Sequence, residues 1–244
     1  MKNYSFSFHH LKTTSSTMDE TRKLLQDQPN TYLVVADEQT QGRGRRGRIW
    51  HSLKGNLYMT LAIPLRSGIN TSKLSLAAGL AIRESIMPYL PPSKIKCKWP
   101  NDVLIENKKV AGVLIETEDV HGELYAIIGI GMNIKNHPSL TAITQATSLK
   151  VHSDQEISPS EVGKSISKNI IKIINNPQMD IREYWLSNAY GLNRQVKYQP
   201  SYSGNYQKGR FIGLSEDGGC IINGPNGIEI IYTSSLIFPE SALD

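Results

Sequence analysis

The sequence predicts an α+β fold, with a mixed, largely antiparallel sheet backed by helices and a small β-barrel towards the C-terminus. Two observations lead to this class. Between residues 33 and 134, apolar segments of strand length follow one another closely, which is typical of neighbouring antiparallel strands. After residue 191, short strand-like segments alternate with turns, which indicates an all-β unit. We therefore predict a larger domain at 1–190 and a smaller one at 191–244.

Four helices are predicted in the larger domain, because each has a Ser, Thr or Asp that can cap its first turn. The capping residues and ranges are Thr17 for 18–28, Ser72 for 73–87, Ser158 for 159–174, and Asp180 for a short helix that Gly191 can end. Apolar residues recur at helical spacing in the second and third of these helices. We expect the helices to pack on one face of the sheet.

Ten strands are predicted from short apolar segments bounded by turn residues. They cover 33–37, 57–64, 95–99, 103–106, 110–117 and 124–134 in the larger domain, and 195–199, 206–214, 219–222 and 228–233 in the smaller. Residues 107–109 separate two of these strands closely enough to predict a tight hairpin. His121 and Gly122 predict the next turn.

Cysteine content, the N-terminus and hydropathy exclude several classes of protein. The two cysteines, Cys97 and Cys220, cannot form a disulfide scaffold or a Cys-x-x-Cys zinc site. Residues 1–10 lack the apolar core of a secretory signal, and no apolar segment approaches the roughly 20 residues of a membrane span. We therefore expect a cytoplasmic protein with no membrane association.

The positive charge of the chain is concentrated in one place. The 244 residues contain 27 Lys and Arg against 22 Asp and Glu, a net charge of +5. Four of these cations are arginines within residues 43–48, and without them the balance is 23 against 22, or +1. This distribution argues against a broad nucleic-acid surface and favours one concentrated anion site.

Residues 42–48 read GRGRRGR, and we call this segment the arginine loop. Its glycines let backbone N–H groups approach an anion, and its arginines supply bidentate donors. Since the segment has no apolar residue to bury, we expect it to be mobile without a ligand. A loose RNA-binding arm has the same composition. The position of the loop between two predicted strands, just before Trp50, favours a phosphate or carboxylate ligand.

A second polar motif, KWPND at residues 98–102, ends a predicted strand. Pro100 stops the strand, so the side chains of Asn101 and Asp102 are free on the turn. With Lys109 after the hairpin, cations and a carboxylate converge on one edge. A carboxylate there can hold Mg²⁺ or order a lysine, although an ordinary turn has the same residues.

The third motif is GIGMN at residues 129–133, at the end of an apolar strand. It lacks the third glycine and the helix that a dinucleotide-binding loop needs. A lone Gly-x-Gly is usually a bulge or a close crossing of two backbones. The functional interpretation is that a flat ligand lies directly on the strand, where side chains would clash.

In this order along the chain, the motifs resemble those of biotin–protein ligases. The match also includes Ser16, Thr17 and Gln39. It is strong over residues 13–134 and loose in the β-rich C-terminal region. The resemblance implies a class II synthetase-like catalytic fold with an SH3-like C-terminal barrel. It implies two steps: the biotin carboxylate attacks the α-phosphate of ATP to give biotinyl-5′-AMP, and an acceptor lysine then attacks the acyl carbon.

The resemblance also implies roles for individual residues. Those that would contact biotin are Ser16, Thr17, Gln39, Gly42, Arg43, Lys109, Gly112, Gly129 and Gly131. Those that would bind the nucleotide are Arg45, Arg48, Trp50, Lys98, Asn101 and Asn133, with Lys109 and Arg45 catalytic and Asp102 the candidate Mg²⁺ ligand. Mg²⁺ would accompany ATP, and no tightly bound cofactor is implied.

The implied partner is the biotin carboxyl-carrier domain of a biotin-dependent carboxylase. Only 15 residues precede Ser16, too few for the helix-turn-helix domain of ligases that are also repressors, so we expect no specific DNA binding. The oligomeric state stays open between monomer and homodimer. One departure concerns Met18, which stands where the family often has Asn and which cannot hydrogen-bond in the same way.

Two other functions remain open at this point. A lipoate or octanoate ligase of the same fold would share the acyl-adenylate chemistry, but we would not expect it to have this arginine loop or the KWPND turn. An RNA-binding module could use the arginine loop and the tyrosines of the smaller C-terminal domain. This alternative predicts a dispersed basic surface. A binding assay with biotin against lipoate separates the two ligases.

Overall fold

The computed structural model describes residues 6–65, 70–138, 145–200, 204–232 and 234–239, which form two sheets. The larger sheet has seven strands in the order β1-β2-β3-β7-β6-β5-β4. Its strands are β1 (Ser7–Thr14), β2 (Tyr32–Gln39), β3 (Leu57–Pro64), β4 (Ile95–Lys98), β5 (Asp102–Ile105), β6 (Lys108–Val120) and β7 (Glu123–Met132). Neighbouring strands are antiparallel except β1 and β2, which are parallel. The prediction of a mixed, largely antiparallel sheet is confirmed.

Strand β1 is an element that the sequence did not predict. It lies at one edge of the sheet, where its residues are half-buried or exposed. The ring of His9 packs on Tyr32, and His10 Nε2 lies 2.7 Å from Asp37 Oδ1. An edge strand with one neighbour needs few apolar residues, so its polar sequence carries little strand pattern.

The helices are α1 (Thr17–Asp27), α2 (Thr71–Ile86), α3 (Leu149–His152), α4 (Pro159–Ile174) and α5 (Ile181–Ser187). The predicted caps of the last two are confirmed: Ser158 Oγ accepts from the Glu161 N–H at 3.4 Å, and Asp180 Oδ1 accepts from the Glu183 N–H at 3.1 Å. The four-residue helix α3 was not predicted.

The first two caps were predicted wrongly. Thr17 is itself the first helical residue of α1, and Gln39 on β2 accepts its backbone N–H at 2.9 Å. A distant side chain therefore takes the place of the local capping box. At α2, the cap is Asn70 rather than Ser72, because Asn70 Oδ1 accepts the Lys73 N–H at 2.8 Å.

The sequence suggested that the helices pack on one face of the sheet, and this prediction is wrong because they cover both faces. On β3, Leu61 and Ile63 join the large core that contains α2 and α4. The intervening Ala62 points to the opposite face and joins a smaller cluster with Leu25 of α1. The alternation of side chains along a strand explains why sequential neighbours enter different cores. Within the described residues, no helix is long and apolar enough to cross a membrane.

The hairpin between β5 and β6 turns one residue earlier than predicted. Glu106 and Asn107 have φ values of 47° and 66°, in the left-handed region that two-residue hairpin turns require. Lys108 and Lys109 therefore belong to β6 and point to opposite sides of the strand. This register decides which of the two lysines can reach the site described below.

The second sheet has four antiparallel strands in the order β11-β10-β9-β8. They are β8 (Gln195–Tyr198), β9 (Gln207–Leu214), β10 (Cys220–Gly224) and β11 (Gly227–Ile231), and they lie close to the predicted ranges. The last predicted range, 228–233, ends at a residue that lies outside the described residues. The ring of Phe211 packs edge-on against Trp185 of α5 at 6.5 Å, so this sheet shares the core of the larger one. Closure into a barrel and the domain boundary at residue 191 stay predictions.

Candidate active site

A cavity of about 290 Å³ lies where the arginine loop covers the ends of β2 and β7 and the start of β6. Every site residue that the sequence suggested, except Gly42, lines it: Ser16, Thr17, Gln39, Arg43, Arg45, Arg48, Trp50, Lys98, Asn101, Asp102, Lys109, Gly112, Gly129, Gly131 and Asn133. Gly42 lies just behind the lining, where a Cβ would be 2.6 Å from the Trp50 carbonyl oxygen. Residues scattered over 118 positions are thus brought into one site.

The end of the cavity beside α1 carries neutral hydrogen-bonding groups. Gln39 Oε1 accepts from the Thr17 N–H at 2.9 Å and from Thr17 Oγ1 at 3.1 Å. Thr60 Oγ1 donates to Thr17 Oγ1 at 2.8 Å, and Ser16 is buried beside them. Burial and mutual hydrogen bonds fix these groups, so they can orient the polar part of an uncharged ligand.

Three glycines on adjacent strands, Gly112, Gly129 and Gly131, form the bottom of the cavity, and we call them the glycine floor. A Cβ at Gly129 would lie 2.7 Å from Met18 Sδ, and a Cβ at Gly131 would lie 2.5 Å from Trp50 Nε1. Two side chains of the protein, the Met18 thioether and the Trp50 indole, approach the strand closely. That a flat ligand lies on the strand stays a prediction.

The Trp50 side chain lies between the glycine floor and a lysine. A Cβ at Gly112 would lie 3.0 Å from Trp50 Cζ3, and Lys109 Nζ lies 5.3 Å from the centre of the indole. Trp50 Nε1 is buried and has no hydrogen-bond partner among the described residues. A buried donor of this kind is usually satisfied, so an acceptor atom of a ligand can bond to it.

The arginine loop is closed over the cavity by its backbone and by an ion pair. The Gly44 N–H donates to the Arg48 carbonyl at 2.7 Å, and the Trp50 N–H donates to the Gly42 carbonyl at 2.9 Å. The Arg43 guanidinium binds both oxygens of Asp19 on α1, at 2.5 and 2.8 Å. This bidentate contact holds the pKa of Asp19 below its ordinary value.

The Asp19 carboxylate also connects the arginine loop to the larger sheet. Arg22 Nη1 lies 3.2 Å from Asp19 Oδ1, and the rest of its guanidinium binds Glu116 and Glu118 on β6. Asp19 therefore accepts from two arginines at once. The chain of charges fixes the position of Arg43 relative to the strands that carry the glycine floor.

The opposite end of the cavity is charged. Lys109 Nζ forms an ion pair with Asp102 Oδ1 at 2.6 Å. Arg45 Nη1 donates to Asn101 Oδ1 at 3.2 Å. Burial lowers the pKa of Arg45 and of Lys98, since both cations have lost much of their water.

Positive charge exceeds negative charge along the cavity wall. Six cations line it, against one carboxylate, that of Asp102; they are Arg43, Arg45, Arg46, Arg48, Lys98 and Lys109. Since partly buried cations are poorly screened by water, this excess attracts a polyanion such as a triphosphate. The cavity thus combines a neutral end with a strongly cationic end.

Asn133 lines the cavity, but its hydrogen bonds join neighbouring backbone segments to one another. Its backbone N–H donates to the Val110 carbonyl at 2.8 Å, and its Nδ2 donates to the Thr147 carbonyl at 3.0 Å. Thr147 in turn donates its N–H to the Lys109 carbonyl at 2.9 Å. Asn133 therefore supports the strand that presents Lys109.

Sequence reasoning missed several residues of the site. Asp19 carries no distinctive signal in the sequence, because an acidic residue in a first helical turn is common. Ser235, Leu236 and Ile237 line the cavity although they lie near the end of the chain. Nothing in their local pattern indicates this, because only the packing of the second sheet brings them there.

Comparison with known proteins gives consistent matches. The model of the biotin/lipoate A/B protein ligase family matches residues 10–133. A biotin–[acetyl-CoA-carboxylase] ligase of Paracoccus denitrificans is 30% identical over 241 residues, covering 93% of this chain and 99% of that protein. A bifunctional ligase/repressor of Bacillus subtilis is 32% identical over 238 residues, covering 91% of this chain and 71% of that protein.

Solved structures resemble the whole described architecture. The biotin protein ligase of Aquifex aeolicus in complex with biotin and ATP superposes with a TM-score of 0.76 at 31% identity, over 96% of this chain and 99% of that chain. The biotin protein ligase of Leishmania major in complex with biotin gives a TM-score of 0.68 at 28% identity, over 93% and 98%.

Proposed function

The chain belongs to the biotin/lipoate A/B protein ligase family, and we propose the reaction that its cavity performs. The protein is a biotin–protein ligase, an ATP-dependent enzyme. The observation that carries the proposal is one cavity with a fixed neutral end and a cationic end. Biotin has an uncharged ring system and a carboxylate, and ATP supplies the polyanion. The two ends therefore suit the two substrates.

In the first step, a carboxylate oxygen of biotin attacks the α-phosphorus of ATP. A P–O bond forms, the bond to the β-phosphate breaks, and pyrophosphate leaves with the electron pair. No nucleophile of the enzyme is needed. The task of the site is to bring two anions together and to neutralise the charge that develops.

Lys109 is placed to neutralise that charge. It lies between the glycine floor and the charged end, and its ammonium is ion-paired with Asp102 at 2.6 Å. We infer that Asp102 holds the ammonium between the carboxylate and the α-phosphate, with Arg45 on the phosphate side. A cation fixed in this position stabilises the transition state more than the separate substrates.

In the second step, the amine of an acceptor lysine attacks the acyl carbon of biotinyl-5′-AMP. An amide bond forms, the acyl C–O bond breaks, AMP leaves and the amine releases a proton. The acceptor we infer is the biotin carboxyl-carrier domain of a carboxylase, since the Paracoccus relative is an acetyl-CoA-carboxylase ligase. Closure of the arginine loop would protect the anhydride from water until the acceptor arrives.

Mg²⁺ is implied by the family resemblance, with Asp102 as its candidate ligand. Among the described residues, no group of three or more His, Cys, Asp and Glu side chains could hold a metal ion. The Asp102 carboxylate also has Lys109 as its partner. These residues do not fit a metal site of their own. We infer that Mg²⁺ enters on the phosphate oxygens of ATP, as part of the substrate.

Two alternatives from the sequence are less well supported. The named relatives and structures are biotin ligases, which does not favour a lipoate or octanoate ligase. An RNA-binding module requires a dispersed basic surface, whereas all four arginines of the loop line the cavity. Monomer and homodimer remain the two proposals for the oligomeric state.

The experiment that tests the function uses the purified protein, ATP, Mg²⁺, an acceptor carrier domain and either biotin or lipoate. We expect the mass of the acceptor to rise by one biotinyl group, only with biotin and only with ATP. An acceptor whose target lysine is changed to Arg is the control. Transfer of lipoate instead of biotin, or no transfer of either, would refute the proposal.

A further inference from the structure

The C-terminal segment 234–239, which we call the tail, forms one wall of the cavity. Its position is fixed at several points. Ile237 exchanges two backbone hydrogen bonds with Lys197 on β8, at 2.8 and 3.0 Å. Ser234 Oγ accepts the Gln199 N–H at 2.9 Å, and Leu236 is 1% exposed in the core. The tail is therefore an ordered part of the site.

Phe238 of the tail sits in a socket formed by a glycine. Gly191 has φ +78°, and a Cβ there would lie 2.7 Å from Phe238 Cδ1 and would overlap the edge of the ring. The ring of Tyr190 packs edge-on against Phe238, with centres 4.9 Å apart. Only a residue without a side chain at position 191 leaves room for the ring.

The socket is joined to the strand that carries Lys98. The Tyr190 N–H donates to the Cys97 carbonyl at 2.7 Å, and the Cys97 N–H donates to the Asn188 carbonyl at 2.9 Å. Cys97 is completely buried and directly precedes Lys98. The aromatic ring and the lysine backbone are thus held in a fixed relation.

The Lys98 ammonium lies 5.7 Å from the centre of the Phe238 ring, within the range of a cation–π contact. Lys98 also lines the cationic end of the cavity. A carboxylate in the place of Phe238 would hold the ammonium but would compete with a phosphate for its charge. The ring face attracts the ammonium and leaves its full charge available to an anion.

We propose that Phe238 is a positioning residue that holds the Lys98 ammonium towards the nucleotide phosphates, so that the tail sets the affinity for ATP. This inference rests on the proposed function, because it needs a nucleotide at the cationic end of the cavity. The lowered pKa of Lys98, caused first by burial, agrees with an ammonium that has little water around it. The biotin end of the cavity does not contact Phe238, so biotin binding should not depend on it.

The first test compares three substitutions of Phe238 by the KM for ATP in pyrophosphate release. We expect Phe238→Leu to raise the KM for ATP about three- to tenfold, the scale of one partly desolvated cation–π contact. The kcat and the Kd for biotin alone should change much less. Phe238→Tyr retains the ring face and should restore the wild-type KM, whereas Phe238→Ala should resemble Phe238→Leu. If Phe238→Leu has the wild-type KM, bulk alone matters and the proposal is wrong.

A matched pair of glycine substitutions gives an independent test. Gly191→Ala and Gly122→Ala both introduce a Cβ at a positive φ, +78° and +85°, so both carry the same kind of backbone strain. Only the Cβ at position 191 would displace Phe238, because nothing lies within 4 Å of the one at position 122. Gly191→Ala should raise the KM for ATP, and Gly122→Ala should not. Equal KM values in the two variants would contradict the proposal.

A double substitution shows whether Phe238 acts through Lys98, since Arg194 also lies against the ring, at 5.8 Å. In a Lys98→Met background, Phe238→Leu should raise the KM for ATP no further. A further rise would mean that Phe238 acts by another route. If the wild-type protein forms no biotinyl-5′-AMP, the proposed function fails; if it does and Phe238→Leu is unchanged, only this inference fails.

Discussion

The glycine floor and the arginine loop face each other across one cavity and are built in opposite ways. The floor lies in hydrogen-bonded strands, with Gly112 paired to Gly131 and buried neighbours on both sides. No side chain of residues 43–49 is fully buried, and backbone hydrogen bonds and polar side-chain contacts hold the loop closed. We therefore expect shape to govern binding at the glycine floor and charge to govern it at the arginine loop.

The two sides should therefore respond to different perturbations. Adding a methyl group to the floor changes the space available, whatever the salt concentration. The loop places four arginines within six residues, and their mutual repulsion opposes its closure. Closure should therefore depend on the contacts that the loop makes, on ionic strength and on a bound anion.

The largest effect is expected where floor and loop meet, at Lys109. Its ammonium lies against Gly112, Trp50 and Asp102. Lys109→Ala should slow pyrophosphate release by about 10²–10³-fold, the scale of losing one preorganised charge donor. Pre-steady-state assays of biotin-dependent pyrophosphate release measure this.

The control for that substitution is Lys108→Ala, which should change little. Lys108 has the same charge and lies on the same strand, but it is exposed and outside the cavity. Because Lys109→Ala leaves Asp102 without its partner, the double variant Lys109→Ala, Asp102→Asn separates lost catalysis from an uncompensated carboxylate. If Lys108→Ala and Lys109→Ala release pyrophosphate at the same rate, Lys109 does not neutralise the charge that develops in the first step.

The next effect concerns the shape of the floor. Gly131→Ala would place a Cβ 2.5 Å from Trp50 Nε1, so the indole must move. Because overpacking of this kind typically costs about 1–3 kcal/mol, we expect biotin to bind roughly 5- to 150-fold more weakly. Isothermal titration with biotin measures the Kd.

A strand glycine with free space around it serves as the control for Gly131. The nearest atom to a Cβ at Gly213 is Ile221 Cδ1, 4.0 Å away. Gly213→Ala should therefore leave the Kd for biotin unchanged. An unchanged Kd in Gly131→Ala as well would mean that the contact between Trp50 and the floor is irrelevant to binding.

The smallest effect concerns closure of the loop by charge. Asp19→Asn removes the bidentate partner of Arg43, and an exposed pair of this kind contributes roughly 0.2–1 kcal/mol. We therefore expect biotinyl-5′-AMP to dissociate up to about fivefold faster, with the difference shrinking at high salt. Glu20→Gln, which removes a contact to Lys23 on the same helix, is the control. If Asp19→Asn and Glu20→Gln release the intermediate equally fast, Asp19 does not secure the loop.

The pKa of Asp19 determines how the contact between Asp19 and Arg43 responds to pH. Arg43 lowers the pKa of Asp19 below its ordinary value of 3.8. The pair is therefore ionised throughout neutral pH, and its contribution is lost only as the pH falls through the lowered pKa. Dissociation of the intermediate from the wild-type protein should not change between pH 6 and 8 on account of Asp19.

The sequence anticipated the floor better than the contacts that close the site. Gly129 and Gly131 lie in one apolar segment, so a local pattern reveals that a strand there lacks side chains. The partners of the loop are distant in sequence: Arg43 contacts Asp19 on an earlier helix, and Arg46 contacts Gln199, which directly follows β8. Such pairings depend on how sheets and helices pack, which periodicity does not encode.

The same distinction explains the misplaced helix start and the missing strand. Thr17 and Glu20 have the spacing of a capping box, yet a side chain 22 residues away takes the N–H of Thr17. Strand β1 is polar, and only its pairing with β2 defines it. In both cases a residue distant in sequence specifies the element, and local patterns do not reveal such a partner.

The most direct test of this account is amide hydrogen exchange of the loop and the floor in a single experiment. Peptides covering residues 42–50 and 124–132 are compared without ligand and with biotinyl-5′-AMP. We expect the loop peptide to exchange fast alone and to slow markedly with ligand, because the bound anion offsets arginine repulsion and the entropy of ordering. The floor peptide should be protected in both states. A loop peptide that exchanges at the same rate with and without ligand would contradict a preformed floor covered by a ligand-ordered loop.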